Sequence, residues 1–298
     1  MRTITVFTPT YNRAHLLGRL YESLLRQTSQ DFTWLVVDDG STDGTRELVA
    51  GWQAEARIEI QYEYKANGGM HTAHNRAYDL MQTELNVCID SDDWMPDNAV
   101  ELICSRWRDV RNDLGIAGIV GLDEAPDGEV IGTRFPVNGL RCTLTGLYER
   151  VGIRGDKKLV YRNEITRSFP RYPEFPGERL VPLGWLYRQI DQKYELLAFN
   201  DVYVVVDYQL GGSSDSIISQ YFQSPQGFQA ARVVSIQYSG SLKDKLRNVV
   251  HFGVSALILG RWRTWLQSPA PVLSVLTWPL SVVAFAYLVV RKSMPRRT

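Results

Sequence analysis

The chain has 298 residues, enough to bury a substantial core in one or two domains. Its 33 lysines and arginines balance 33 aspartates and glutamates, so no global basic field points to nucleic acid, which is excluded as a partner. The cysteines Cys88, Cys104 and Cys142 are odd in number and lack metal-ligand spacing, which suits reduced residues in a cytosolic compartment.

The opening run MRTITVFTPT enters a strand pattern directly, so no secretory signal is expected. Thr3–Thr8 reads as a buried strand and Pro9 to Arg13 as the turn after it. Leucines at helical spacing mark a helix over His15–Gln27. Phe32–Val37 is a second strand, ending in Asp38, Asp39, Gly40 and Ser41, and Thr42 or Asp43 caps a helix through Gly51. Ile58–Tyr64 alternates like a third strand, and a tight loop at Asn67, Gly68 and Gly69 leads into a helix through Met81. A fourth strand, Val87–Asp90, precedes a helix from Asp97 to Trp107. Strands alternating with helices predict an α/β fold with a mostly parallel sheet covered on both faces. Ligands of such sheets sit beyond the carboxyl ends of the strands. Three polar clusters fall at those ends, Thr8–Asn12, Asp38–Ser41 and Asp90–Asp93, and this convergence points to one shared site.

The last cluster poses an electrostatic problem. Two carboxylates about 4 Å apart repel by roughly 4 kcal/mol at an effective dielectric near 20. Asp90, Asp92 and Asp93, with Ser91 among them and Trp94 and Pro96 closing the stretch, therefore want a counter-charge. A protonated aspartate, an arriving Lys or Arg, or a divalent cation would supply it. The nearest basic residue in sequence, Arg106, lies well beyond the cluster, which favours the cation. A solvated acidic loop with an Asx turn is the plainer alternative.

Beyond Ile116–Leu122, a further strand, the pattern turns irregular. Asp127–Gly128 suggests a hairpin turn between Ile119–Leu122 and Glu129–Thr133. Arg167–Glu178, rich in proline and aromatics, reads as an ordered loop over the site. Trp185–Tyr194 reads as a helix, Val202–Tyr208 as a strand closed by Gly211 and Gly212, and Arg232–Trp265 as helical stretches including Val249–Leu259.

TPTYNR (Thr8–Arg13), VVDDGSTDGT (Val36–Thr45), NGGMHTAHNRA (Asn67–Ala77) and IDSDD (Ile89–Asp93) resemble the motifs of family 2 glycosyltransferases in order and spacing. FPGERLVP (Phe175–Pro182) is similar to the acceptor-side motif of the capsular or exopolysaccharide branch. The resemblance covers roughly residues 1–215. It implies a Rossmann-like GT-A fold, with residues 1–115 binding a nucleotide-sugar and 116–215 an acceptor, followed by a helical extension over 216–298. It also implies inversion at the anomeric carbon, a Mn2+ or Mg2+ ion, a UDP-sugar as the first-choice donor, and a glycan or lipid-linked glycan acceptor.

By that resemblance Asp92 holds metal and diphosphate, Asp90 contacts metal or ribose, Ser91 belongs with Asp90 to the nucleotide-sugar site, and Asp93 and Trp94 support them. Thr8, Pro9 and Tyr11 line the base pocket with Arg13 beside them, and Asp39 accepts hydrogen bonds from the base, supported by Asp38 or Ser41. Asn67 and Gly68 belong to the donor loop. His74 and Asn75 stand where many members have Arg-Asn, with His71 one helical turn earlier. Either histidine touches a phosphate or ribose or is a satisfied side chain beside the sheet. Glu178 stands where the family carries its general base, with Glu174 and Asp191 as reserves; Glu178–Arg179 replaces the usual Glu-Asp. Trp94, Trp185 and the Tyr172–Phe175 loop are either sugar platforms or core. No QxxRW motif is present, which argues against a processive synthase.

From Pro271 to Val290 no residue is charged, and Arg291, Lys292, Arg296 and Arg297 follow. The stretch is long enough to cross a bilayer as a helix, yet a full crossing would carry its basic flank outside. A broken, re-entrant or interfacial segment bent near Pro279 is expected, at the cytoplasmic face of the cell membrane. The competing functions are a nucleotidyltransferase or hydrolase on a similar fold, and a non-catalytic nucleotide-binding scaffold held at the membrane.

Overall fold

The computed structural model describes residues 2–207 and 217–293. Tyr208, Gly211, Gly212, Arg296, Arg297 and the expected boundary at 215/216 lie outside the described residues. The first half alternates as its pattern predicts: β1 (Ile4–Thr10), α1 (Ala14–Leu25), β2 (Phe32–Asp38), α2 (Thr45–Glu55), β3 (Ile60–Tyr64), α3 (Met70–Leu80), β4 (Leu85–Cys88) and α4 (Ala99–Val110). All seven residues of β1 and of β2 are buried, as strands covered on both faces require. Leu17, Leu20, Tyr21 and Leu24 form the buried stripe of α1, where Tyr21 stacks on Trp52 of α2 at 4.3 Å. The N-cap of α2 is Gly44, a correction to the expected Thr42 or Asp43; Asp43, one residue earlier, accepts from Thr45 N, and its other oxygen accepts from Ala14 N at the start of α1.

The chain continues through β5 (Ile116–Glu124), β6 (Leu140–Cys142), α5 (Leu144–Gly146) with a π-helical turn at Leu147–Val151, β7 (Lys157–Arg162), α6 (Asn163–Ser168), α7 (Gly184–Ile190) and β8 (Glu195–Val205). The sheet order is β3-β2-β1-β4-β7-β5-β8-β6. β1 pairs in parallel with both β2 and β4, whereas β7 runs antiparallel between β4 and β5. Connectivity reverses between β1 and β4, which opens a crevice at their carboxyl ends. The expected hairpin shrinks to its turn, with Glu129 O accepting from Ala125 N and a single bridge between Glu124 and Val130.

The described residues fall into two compact units. The first runs to Arg171 and resumes at Ile190; the second takes Tyr172–Gln189 and the helices from Ile217 onward. These helices are α8 (Ile217–Gln223), α9 (Pro225–Gln237), α10 (Leu242–Ile258) and α11 (Pro271–Ser293), with a 3-10 turn at Trp262–Gln267. The Phe175–Pro182 stretch thus clusters with the C-terminal helices. The expected break at Pro279 is corrected, because α11 is helical without interruption. Pro279 lies on the exposed face, so its ring displaces no neighbouring helix and only its own backbone hydrogen bond is forfeited.

Candidate functional site

At the carboxyl edge of the first unit, three loops are tied together by side chains. Asn12, in the left-handed conformation with φ 54°, donates its amide to Ser41 Oγ (2.8 Å), and its Oδ1 accepts from Thr42 N (2.7 Å). Arg13 donates to Asp92 Oδ2 at 2.7 Å, joining the β1 turn to the acidic cluster after β4. Asp38 accepts from Ser41 N (2.7 Å) and from the Tyr62 hydroxyl (2.5 Å). Asp39 Oδ1 accepts from Lys65 Nζ (2.6 Å) and Gly68 N (2.9 Å), while Oδ2 accepts from Gly69 N (2.7 Å). The carboxylate expected at the base therefore also holds the donor loop that contains Asn67 and Gly68.

Several of the expected residues are buried. Thr8 is fully buried, its hydroxyl accepting from Trp34 Nε1 at 3.0 Å, while Pro9 is buried beside it. Tyr11, 43% exposed, presents an aromatic face. His71 and Asn75 are buried on α3. His74 is sealed in the interior, edge-on to Phe7 at 4.9 Å, with Nδ1 3.2 Å from the Tyr78 hydroxyl and Nε2 3.7 Å from Cys88 Sγ. Burial, with His71 and Lys158 adding to it, lowers its pKa to about 3, so the ring is neutral.

The acidic cluster has positive neighbours that the sequence did not place there. Arg106, the expected nearest base, pairs instead with Asp201 at 2.7 Å. Besides Arg13, Arg19 donates to Asp92 O (3.0 Å) and to Asp207 (2.6 Å), and stacks over Trp94 at 4.8 Å. Lys158 is also close. Because β7 runs antiparallel and Val160 pairs with Val87, Lys158 lies alongside the carboxyl end of β4. Burial opposes its charge, but Asp123, Asp90 and Asp93 outweigh that and raise its pKa. Asp123, near the end of β5, is 2% exposed and its Oδ1 has no hydrogen-bond partner among the described residues. Burial pushes its carboxyl up to about 6 against the pull of Lys158, and burial likewise pushes Asp93 up to about 7.

Among the described residues no three His, Cys, Asp or Glu side chains gather as a metal site. Asp92, whose side chain is 18% exposed, and the partly buried Asp90 offer hard oxygens at an open edge. That donor set fits a Mg2+- or Mn2+-like ion completed by phosphate and water oxygens, and does not fit a closed zinc site.

In the second unit, Glu178 has both oxygens engaged at the start of α9. Oε1 accepts from Gln226 N (2.9 Å) and Gln226 Nε2 (3.2 Å), and Oε2 accepts from Gly227 N (2.8 Å). It satisfies amides that the first turn of a helix leaves without partners. Asp191, one of the reserves, does the same in the first unit, accepting from Leu144 N (2.9 Å) and Thr145 N (2.7 Å). Glu174 is exposed. Tyr172 is buried, donating to Leu183 O at 3.0 Å and packing on Trp185, so it serves as core.

Comparison with known proteins bears on the family and the fold. The chain is 29% identical to glycosyltransferase GlyA of Streptococcus pneumoniae over 122 residues, 41% of this chain but 17% of GlyA. It spans less than half the length of the first curated relatives it matches. Its fold resembles residues 1–349 of S. aureus TarS, solved with UDP-GlcNAc, at a TM-score of 0.63 and 18% identity, covering 96% of this chain and 81% of that one. It also resembles a Pyrobaculum calidifontis mannosyltransferase solved with GDP-Man and Mn2+, at a TM-score of 0.54 and 17% identity, covering 99% and 84%. The sequence profile described as Glycosyl transferase family 2 matches residues 5–163, from β1 to the start of α6. The chain belongs to glycosyl transferase family 2.

Proposed function

We propose that this protein is an inverting, metal-dependent glycosyltransferase. It moves a sugar from a nucleoside diphosphate, a UDP-sugar in the first instance, to a hydroxyl of a lipid-linked surface-polysaccharide acceptor, at the cytoplasmic face of a membrane. The observation that carries the reading is the tie between Arg13 and Asp92, which brings the β1 turn and the acidic cluster to one edge of the sheet. TarS with UDP-GlcNAc supports the choice of donor, and the mannosyltransferase with Mn2+ supports the ion.

Asp92, with Asp90, is the holder of the cation, and Ser91, Asp93 and Trp94 shape the turn around them. When bound, the cation supplies Lewis-acid stabilisation of the charge that builds on the departing diphosphate. Arg13, already 2.7 Å from Asp92, presents a planar fork suited to phosphate oxygens. Tyr11 supplies a stacking face for the base, and Asp39 steadies the Asn67–Gly69 loop through Lys65 and the loop amides. Single displacement also needs a general base on the acceptor hydroxyl. Glu178 takes that role through the lone pairs its α9 contacts leave over, with the exposed Glu174 as its reserve.

The test is donor hydrolysis and transfer with UDP-sugars in the presence of Mn2+ or Mg2+. Full activity in an Asp92→Ala variant would refute the metal role.

A further inference from the structure

The last helix has its faces inverted relative to a helix of a water-soluble protein. Toward the protein, α11 turns three hydroxyl residues, Ser274, Thr277 and Ser281, at 4%, 6% and 1% exposure. Each hydroxyl bonds back to a carbonyl of the preceding turn, Ala270 O, Leu273 O and Thr277 O respectively, so none needs water. Away from the protein, Val272, Leu276, Leu280, Val283, Tyr287 and Val290 are 52–71% exposed. At 100° per residue, all the exposed positions from 271 to 290 fall on one half-cylinder running the length of the helix. An apolar surface that long and continuous marks an interaction site.

Two further observations identify what covers it. The first is charge. After Asp244 the sequence contains no acidic residue, whereas Lys245, Arg247, Arg261, Arg263, Arg291, Lys292, Arg296 and Arg297 are all basic. A chain that is neutral as a whole thus carries eight basic residues and no acidic one in the stretch after Asp244, the stretch that holds its most apolar helix; within it Arg247 pairs back to Asp244. The second is seating. Leu273 packs with Val249 and Phe252, while Ala284, Phe285 and Leu288 pack with Tyr221, Phe228 and Val254, so α11 lies on its neighbours along most of its length. The seam is tight: a Cβ on Gly253 would sit 2.4 Å from Ser281 Oγ.

We propose that α11 lies flat in the headgroup–acyl boundary of an anionic bilayer, exposed half-cylinder down, and does not cross it. This rests on the membrane part of the reading above and is independent of the transfer chemistry. A crossing would draw the neighbours of α11 into hydrocarbon, including α10 with its Arg247 side chain 65% exposed, and buried charges there are costly. Lying in plane keeps that surface in water and lets the basic residues meet lipid phosphates.

The test is flotation of the full chain, without donor sugar, on vesicles of phosphatidylcholine with or without phosphatidylglycerol. The chain is expected to float with the anionic vesicles at least tenfold more than with neutral ones, to lose binding as salt rises, and to be released by alkaline carbonate. The double variant L276E/V283E is expected to stop floating with an unchanged melting temperature in buffer, since both sites are exposed. R291E/K292E is expected to lose most of the preference for anionic lipid. Retention after carbonate would show a crossing and overturn the proposal. Absence of flotation would overturn it too, as would a dimer in vesicle-free buffer that L276E/V283E dissociates while vesicle binding persists. The readout uses no sugar transfer, so its failure leaves the enzymatic reading standing, and an inactive enzyme that still floats leaves this proposal standing.

Discussion

The carboxylates after β4 and the carboxylate of Glu178 belong to matching motifs but stand in opposite local conditions. Asp92 has one oxygen on a single side-chain partner, the Arg13 guanidinium, and its side chain is 18% exposed. Glu178 has both oxygens on the first turn of α9. Arginine can trade a carboxylate for a phosphate, whereas amides of a helix terminus stay where the helix is. The difference teaches that an acidic residue in the right place of a motif is a chemical candidate only to the extent that folding has not already taken its oxygens.

The largest expected effect separates these two conditions. Asp92→Ala is expected to lower the rate of sugar transfer by about 100-fold or more, the scale for removing a group that stabilises developing charge. Its melting temperature is expected to stay near the parent's, because the ion pair it loses is partly exposed. Rates that fall only in step with unfolding would assign Asp92 to structure instead.

Asp123 sharpens the comparison as a carboxylate with neither solvent nor a full set of partners. Its folded pKa, up to about 6, lies above the ordinary aspartate value, so the folded state binds the proton more tightly. Its contribution to stability therefore falls as pH rises from about 4 to about 6 and is level above that. Asp123→Asn is expected to gain on the parent across that window, by on the order of 1–3 kcal/mol. Urea midpoints of the two proteins in metal-free buffer check this; parallel pH curves would contradict it.

Two smaller effects probe the seat of Glu178. A Cβ on Gly227 would lie 1.9 Å from Leu180 O, so Gly227→Ala is expected to cost about 1–3 kcal/mol in thermal unfolding. Glu178→Ala removes a helix-terminus acceptor and is expected to cost about 1 kcal/mol. Glu178→Gln keeps one acceptor for α9 but cannot take a proton. A large loss of transfer in the glutamine variant, with stability near the parent's, would mark the base; near-normal transfer would pass the role to Glu174.

The parallel half of the sheet was legible because its signals are local. Buried runs such as Phe32–Val37, the leucine spacing of α1, and polar clusters at strand ends each announce themselves within a dozen residues. What escaped depends on pairing across long separations. Lys157–Arg162 begins with two lysines and falls in the stretch whose pattern is irregular, yet it is the strand that carries Lys158 to the end of β4. Asp123 and Arg19 reach the same edge through sheet order and helix placement, which no spacing encodes. His74 shows a different limit: its motif position marks the site, but its side chain turns inward against Phe7 and Tyr78. Pro279 misled for a third reason, since a proline on an exposed helical face loses one hydrogen bond and need not end the helix.

The central claim is that the acidic edge beside Arg13 binds a nucleotide-sugar together with a divalent cation. A thermal-shift titration with UDP-GlcNAc, with and without Mn2+, tests it most directly in the parent and in Asp92→Ala. The account predicts a melting temperature that climbs with the logarithm of donor concentration when Mn2+ is present. It predicts a much weaker rise without the ion or in the variant. An equal rise in parent and variant, or no rise with any UDP- or GDP-sugar, would contradict it.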